Sequence, residues 1–423
     1  MAAVTWTDGG AREDAVATGV RGPIVATALL FAANGAVFGA IVPRLPDLKD
    51  ALDLGPAAFG LAMACYPAGA LVGGLLTPAL MRRRSDGAVA VAAMIAASAI
   101  VALVGFSPAL AVFAGLLLLF GLCDAITDVS MNAHGIRVQS RHGRSLINRF
   151  HAVWSLGAAL GAAGGSVAAG VGTPVVLQMI AAGVASTVAA LAAFPLRLGP
   201  PGAEHGSGRG ARPRTPARAT GRTLLLLAAL GQMACCAAIV EDFAQTWSAL
   251  YLREVAAAGA GLAGLGFIAV QGMQLVGRLT GDRLVEGVGA AHVGRMGGAC
   301  VVAGSGAALV ASFALDGPVL VAALLVGSAL AGWGIATIIP GAMVAADSVP
   351  GLAPGTGLAV LNWVIRLGFL ASPPVVGLIA EHAGMRWTVA PLIVGGVLIA
   401  LMAGPLLGRA DRAPVDRARP AGH

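Results

Sequence analysis

Five ionisable side chains interrupt long apolar runs: Asp124 and Asp128 in one, Glu241 and Asp242 in a second, and Arg366 in a third. A charge at the centre of a lipid bilayer costs several kcal/mol unless it is paired, so residues of this kind pair with one another or serve an ion or solute path. The four carboxylates are the candidates for taking up and releasing a proton. Asp124 and Asp128 are four residues apart and share one helix face, with Asp124 within about one turn of the middle of its run. The following run begins with Arg149 and His151. Asp128 therefore has two readings, an ion pair with Arg149 or a coupling role. Adjacent carboxylates cannot both ionise cheaply in a low dielectric, so at least one of Glu241 and Asp242 is expected to be protonated or paired. Arg366 lies near the middle of its run and calls for an anion. Asp124, Glu241 and Asp242 stand within about two turns of the same depth.

Polar and aromatic residues in the same runs can complete a solute site. Asn34, Gln245, Gln271 and Asn362 are cavity candidates, with Gln232 and Gln274 able to add hydrogen bonds; each can equally join helix to helix. Trp154, Trp247 and Trp333 can stack on a solute, as can Trp363, or can simply fill the bundle. The chain shows no glycine-rich phosphate loop, metal-ligand cluster or catalytic triad. Neither an enzyme, a cofactor nor a metal site is expected. Cys65, Cys123, Cys235, Cys236 and Cys300 all fall in apolar runs and read as small packing residues.

The elements that must carry these groups follow from composition. Of 423 residues, 57% are hydrophobic and 11% charged, against roughly 25% charged in a soluble domain. The apolar runs are continuous, which excludes the alternating strands of an outer-membrane barrel, and each is long enough to cross a hydrocarbon core as a helix of about 20 residues. Spans are predicted near 23–42, 57–80, 88–106, 109–135, 146–171 and 174–195, then 223–251, 260–284, 290–314, 318–346, 355–380 and 387–408. The domains are a tail over 1–22, a six-helix half over 23–198, a linker over 199–222 rich in Gly, Pro and Arg, a second half over 223–408 and a tail over 409–423. Met1–Gly22 has no basic region ahead of an apolar core, so it reads as a disordered tail and not a signal peptide.

A net charge of +7 is compatible by itself with nucleic-acid binding, but the charge sits in short loops between spans. With both termini cytoplasmic, 22 of the 27 basic residues fall on the cytoplasmic side and only Arg44, Lys49, Arg253 and Arg386 on the other. That bias orients the chain in the cell membrane. The halves also resemble each other. Gly60-Leu61, Leu71-Val72-Gly73, Leu75 and Leu80 recur 204 residues later as Gly264-Leu265, Leu275-Val276-Gly277, Leu279 and Leu284.

Two parallel six-helix repeats are the architecture of major facilitator transporters, whose halves rock about a midplane site. Gly277-Arg278-Leu279-Thr280-Gly281-Asp282-Arg283-Leu284 resembles the loop signature after the second helix of each half in that family. The resemblance makes Gly277, Gly281, Asp282 and Arg283 a gating loop that steadies the outward-open state, while Pro78 replaces the acid in the first half. Asn34-Gly35, Arg44-Leu45-Pro46-Asp47-Leu48-Lys49, Phe150-His151-Ala152-Val153-Trp154-Ser155-Leu156-Gly157, Trp247-Ser248-Ala249-Leu250-Tyr251-Leu252, Gly332-Trp333-Gly334 and Gly368-Phe369-Leu370-Ala371-Ser372-Pro373-Pro374 resemble the branch of rhizopine-transporter-like bacterial inner-membrane permeases. In that branch Glu241 matches an acid, making it the first choice for the proton with Asp124 second. Thr246 replaces an acid and Arg366 an aromatic, so the branch's cargo does not carry over. Gly157, Gly161 and Gly165 partly resemble an antiporter stripe whose proline is replaced by Ala162.

The resulting expectation is an all-helical, twelve-span, monomeric secondary transporter. It moves a small organic solute by alternating access with proton coupling; sugar-like uptake and metabolite or drug export both remain open. A membrane receptor or scaffold on the same fold is the alternative.

Overall fold

The computed structural model describes residues 9–143, 145–199, 221–349, 352 and 355–408, with side chains from Arg21 onward. The first half comprises α1 (Gly9–Ile41), α2 (Leu45–Ala51), α3 (Pro56–Arg83), α4 (Asp86–Val104), α5 (Leu110–His142), α6 (Ile147–Gly170) and α7 (Val175–Leu196). The second comprises α8 (Gly221–Thr246), α9 (Ser248–Val255), α10 (Leu265–Val288), α11 (Ala290–Ala314), α12 (Gly317–Ile335), α13 (Ile338–Asp347), α14 (Thr356–Ala383) and α15 (Ala390–Leu407). Among the described residues twelve stretches are long and apolar enough to cross a membrane, at the twelve predicted places. Only helices satisfy every backbone group within one segment in lipid, and exposed Leu61, Leu75, Leu225, Leu279 and Leu401 give them an apolar outer surface.

The pairing of helices repeats. In the first half α1 packs on α6 and α7, α3 on α5, and α4 on α5 and α7; in the second α8 packs on α14 and α15, α10 on α12, and α11 on α12 and α15. Each pair in one list has its counterpart six spans on. The halves meet through α3 against α14 and α6 against α10, and the same repeat exchanges these two seams. The fold is thus two parallel six-helix repeats.

Two details depart from the predicted elements. The first helix begins at Gly9, so the backbone from Gly9 to Gly22, expected as tail, is helical. The first, seventh and tenth spans are broken: α1 leads through a short 3-10 turn (Val42–Arg44) into α2, Trp247 separates α8 from α9, and Ala336–Thr337 separate α12 from α13. Arg12 has no described side chain, and Arg144, linker residues 200–220 and the tail from 409 lie outside the described residues.

Glycines set the closest approaches. Along α6, a Cβ on Gly157 would collide with the Ala32 carbonyl, one on Gly161 with the Ala36 carbonyl, and one on Gly165 would lie 2.6 Å from Pro43 Cγ. The stripe packs α6 on α1 by backbone contact.

Candidate functional site

Between the halves lies a cavity of about 220 Å³. The first half contributes Phe38 from α1, Met63, Tyr66, Pro67 and Ala70 from α3, and Leu117 and Phe120 from α5; the second contributes Asp242, Gln245 and Thr246 from α8 and Arg366 and Phe369 from α14. Its wall is mainly apolar and aromatic, with one acid and one cation of predicted importance.

Asp242 is 5% exposed. Its Oδ1 accepts a hydrogen bond from the Thr246 hydroxyl at 3.3 Å, one turn along the same helix face, and its Oδ2 is buried without a partner. Ser372 stands beside it, outside hydrogen-bond geometry, so its hydroxyl is unpartnered too. Glu241 points elsewhere: it is half-buried and does not line the cavity. Successive helical residues are about 100° apart, and the structure places the second acid of the pair, not the expected first, on the inner face.

The sequence calls for an anion at Arg366, either a carboxylate of the chain or one from outside it. Among the described residues it forms no ion pair; its Nη1 donates a long bond of 3.5 Å to the Ala70 carbonyl, beside Gly74, and Asp128 lies within Coulombic reach. Of the two readings of Asp128, the ion pair with Arg149 is not formed. Asp128 Oδ1 instead accepts from Asn132 Nδ2 at 3.0 Å, Asn132 Oδ1 stands 3.2 Å from His151 Nε2, and Arg149 turns to the exposed face of α6.

Asp124 anchors a network inside the first half. Its Oδ1 accepts from Asn34 Nδ2 at 2.6 Å and its Oδ2 from the Tyr66 hydroxyl at 2.7 Å, while Asn34 Oδ1 accepts from Trp154 Nε1 at 2.7 Å. Four spans are thereby joined, and Trp154 and Asn34 serve this network behind the cavity wall. Bonds to a charged acceptor are worth about 1.5–3 kcal/mol each, so the arrangement stabilises the half.

Other expected cavity residues lie elsewhere. Trp247 is fully buried with its Nε1 unpartnered and meets Phe59 edge to face at 5.4 Å across the halves. Gln271 and Gln274 are buried on α10, with Gln271 Oε1 unpartnered. Gln232 donates to Cys236 Sγ at 3.6 Å. Asn362 does not line the cavity, and Trp363 is 46% exposed on the outer surface. Trp333 lines a cleft with Gly277 and Gly281 where α10 meets α12; added Cβ atoms there would lie 2.5 Å from Ala336 Cβ and 2.6 Å from Thr337 Cγ2. Asp282 and Arg283 are exposed and form no ion pair with the described residues.

One group of functional residues was counted in the sequence only as loop charge. At the end opposite the linker, Arg253 on α9 donates to Asp47 on α2 at 2.5 Å and lies 4.0 Å from Asp50, and Lys49 pairs with Glu254 at 3.2 Å. Arg44 donates to the Thr173 carbonyl at 2.8 Å and stands 3.1 Å from Asp47, an ion pair whose N–H misses hydrogen-bond direction. Glu381 accepts from the Ala57 backbone at 2.9 Å, and the Ser166 hydroxyl from the Gly264 backbone at 3.1 Å. Apart from the Arg366 contact, every polar bond between the halves among the described residues lies at this end. Phe38 against Phe267, 6.2 Å apart, adds a plug beneath it. The cavity is sealed at the Asp47 end. The alternation of sign in Arg44-Asp47-Lys49-Asp50 against Arg253-Glu254 was the signal for this seal.

Comparison with known proteins places this geometry. The family model of the Major Facilitator Superfamily matches residues 27–326. An uncharacterized transporter, y4wD, of Sinorhizobium fredii is 31% identical over 366 residues, covering 84% of this chain and 90% of the relative. Membrane protein MosC of Rhizobium meliloti is 27% identical over 383 residues, covering 89% and 88%. Among solved structures, a bacterial homolog of the human lysosomal transporter Spinster, inward-facing and occupied, gives a TM-score of 0.72 at 14% identity over 92% of this chain and 98% of its own. The nucleoside transporter NupG gives 0.70 at 11% over 92% and 99%. These relatives do not favour a receptor or scaffold. With twelve apolar helices in two repeats around a shared cavity, the chain belongs to the Major Facilitator Superfamily, as a multi-pass membrane transporter and not an enzyme.

Proposed function

We propose that the protein is a proton-coupled secondary transporter of the cell membrane, acting as a monomer with both termini and the linker cytoplasmic. On that orientation the sealed Asp47 end faces outward and the structure is inward-facing. A small organic solute enters the cavity, Arg366 holds it, and the proton resides on Asp242. The observation that carries this reading is the coexistence, in one cavity, of a guanidinium without a carboxylate partner and a buried carboxylate with a free oxygen. An isolated charge in such surroundings is costly. A proton cancels that of Asp242, and an anionic group on the solute offsets that of Arg366. Occupancy of both sites relieves both costs before the halves rock.

The assay is transport in proteoliposomes with a panel of labelled organic acids, amino acids and polyols, with and without an imposed pH gradient. Asp242→Asn should abolish gradient-driven accumulation while sparing exchange of solute for solute, and Glu241→Gln should accumulate normally. Accumulation by Asp242→Asn at the parent rate would overturn the coupling assignment.

A further inference from the structure

The chemistry of the cavity wall narrows the solute, given the transport reading above. Its size comes first. An apolar cavity of about 150 Å³ holds a benzene molecule, so about 220 Å³ accommodates one six-membered ring with a short arm. Its walls come second. Phe38, Phe120 and Phe369 together with Met63 and Leu117 present ring faces, a thioether and methyl groups, surfaces that suit a flat apolar body.

Polar capacity is the third constraint. Tyr66 has the one phenolic hydroxyl at the wall, and it is already donated to Asp124. The Thr246 hydroxyl is donated to Asp242. What remains for a ligand is Arg366 and the Gln245 amide, with Asp242 at the wall but its unbonded Oδ2 buried. A polyol of ring size carries five or six hydroxyls, each both donor and acceptor. Most would enter without partners, at about 1–3 kcal/mol for each group stranded. A sugar-like solute is therefore disfavoured by far more than the wall can return.

A single anionic group is different. Arg366 has five N–H donors in a planar fork, and among the described residues it makes one long bond to Ala70 and no ion pair. One guanidinium matches the one negative charge of a carboxylate in bidentate geometry. A phosphate monoester, with close to two charges, would keep an excess charge in an apolar box.

We infer that the solute is a small monocarboxylate with a single-ring or similarly sized apolar body, its carboxylate on Arg366 and its body against Phe38, Phe120 and Phe369. The remaining polar positions, Gln245 and Asp242, admit at most one or two further polar substituents.

Phenylacetate, its uncharged isostere phenylacetamide and myo-inositol make a direct test with the purified full-length protein in detergent, by calorimetric titration near neutral pH. Phenylacetate should bind at least about tenfold more tightly than phenylacetamide, the effect of one charged hydrogen-bonded contact, and myo-inositol should neither bind nor compete. Arg366→Gln should erase the preference for acid over amide, and Arg366→Lys should keep part of it. The acid-against-amide comparison needs no variant, so it stands even if the variants fold poorly. Equal binding of acid and amide, no binding of the acid at about 10 mM, tighter binding of myo-inositol, or a preference that survives in folded Arg366→Gln would each overturn the inference.

The two proposals fail separately. Phenylacetate bound through Arg366, but exchanged across proteoliposomes without response to a pH gradient, would remove the proton coupling and leave the solute class. Gradient-driven uptake of myo-inositol would do the reverse.

Discussion

The Arg253–Asp47 contact crosses the seam between the halves, so its removal should shift the conformational equilibrium more than the stability of either half. Arg253→Gln deletes this bond while leaving Arg44 beside Asp47 and Lys49 on Glu254. The side chains of Arg253 and Asp47 are 27% and 23% exposed. A fully exposed pair contributes about 0.2–1 kcal/mol and a bond to a charged group about 1.5–3 kcal/mol. An intermediate value of about 1–2 kcal/mol fits this partly covered pair and corresponds to roughly 5- to 30-fold in the share of molecules opened at the Asp47 end. The reporter is Ala70→Cys at the cavity wall, in a background from which Cys65, Cys123, Cys235, Cys236 and Cys300 have been removed. In inside-in vesicles a membrane-impermeant maleimide reaches that cysteine only through the sealed end. While the opened fraction is small, the labelling rate should rise by the same factor. Asp47→Asn should lower thermal stability in addition, because the buried Arg44 loses its carboxylate as well. A labelling rate for Arg253→Gln within roughly twofold of the parent, the size of ordinary coupling error, would refute the latch.

Three further outcomes are expected. Reporter fusions at Arg212 and at both tails should all read cytoplasmic, and a periplasmic reading at Arg212 would reverse the orientation. Asp282→Asn should increase labelling of cavity cysteines from the linker side and impair transport; since Asp282 is exposed and unpaired here, thermal stability should change by no more than about 0.5 kcal/mol, and unchanged labelling with unchanged flux would remove the gate role. Asn34→Ala strands the Trp154 N–H and takes one donor from Asp124, so it should destabilise the first half by about 1–3 kcal/mol. Thermal unfolding measures this, and an unchanged midpoint would show the network to be ornamental.

Depth was legible in the sequence and azimuth was not. The bilayer demands length and continuous apolarity, which is why twelve spans and two repeats could be located from composition. A fixed rise per residue placed Asp124, Asp242 and Arg366 at comparable depths, and the same cavity wall carries the last two. The rotation of each helix is encoded in an apolar stripe in water-soluble proteins, but helices that meet lipid on one face and neighbours on the other are apolar all round. Glu241 and Asp242 were thus indistinguishable until the helix was oriented, and Arg149, close to Asp128 in sequence order, turned out to lie on the outer face. The Asp47 seal required knowing that α2 and α9, some 200 residues apart, meet in space. The solute's size and polarity required the wall as a whole.

The seam beside that seal has its own bearing on energy conservation. A Cβ on Gly60 would collide with the Pro373 carbonyl, and one on Gly377 would lie 2.6 Å from the Pro56 carbonyl. At these two points main chain therefore presses on main chain between α3 and α14, with no side chain interposed. A water molecule occupies about 30 Å³ in the liquid, far more than such an approach leaves, so a file of waters cannot thread it. Protons then have no hopping route past these two points of the seam. A leak at these two points would need the halves to separate as bodies, which ties the tightness of the barrier there to the transport cycle itself.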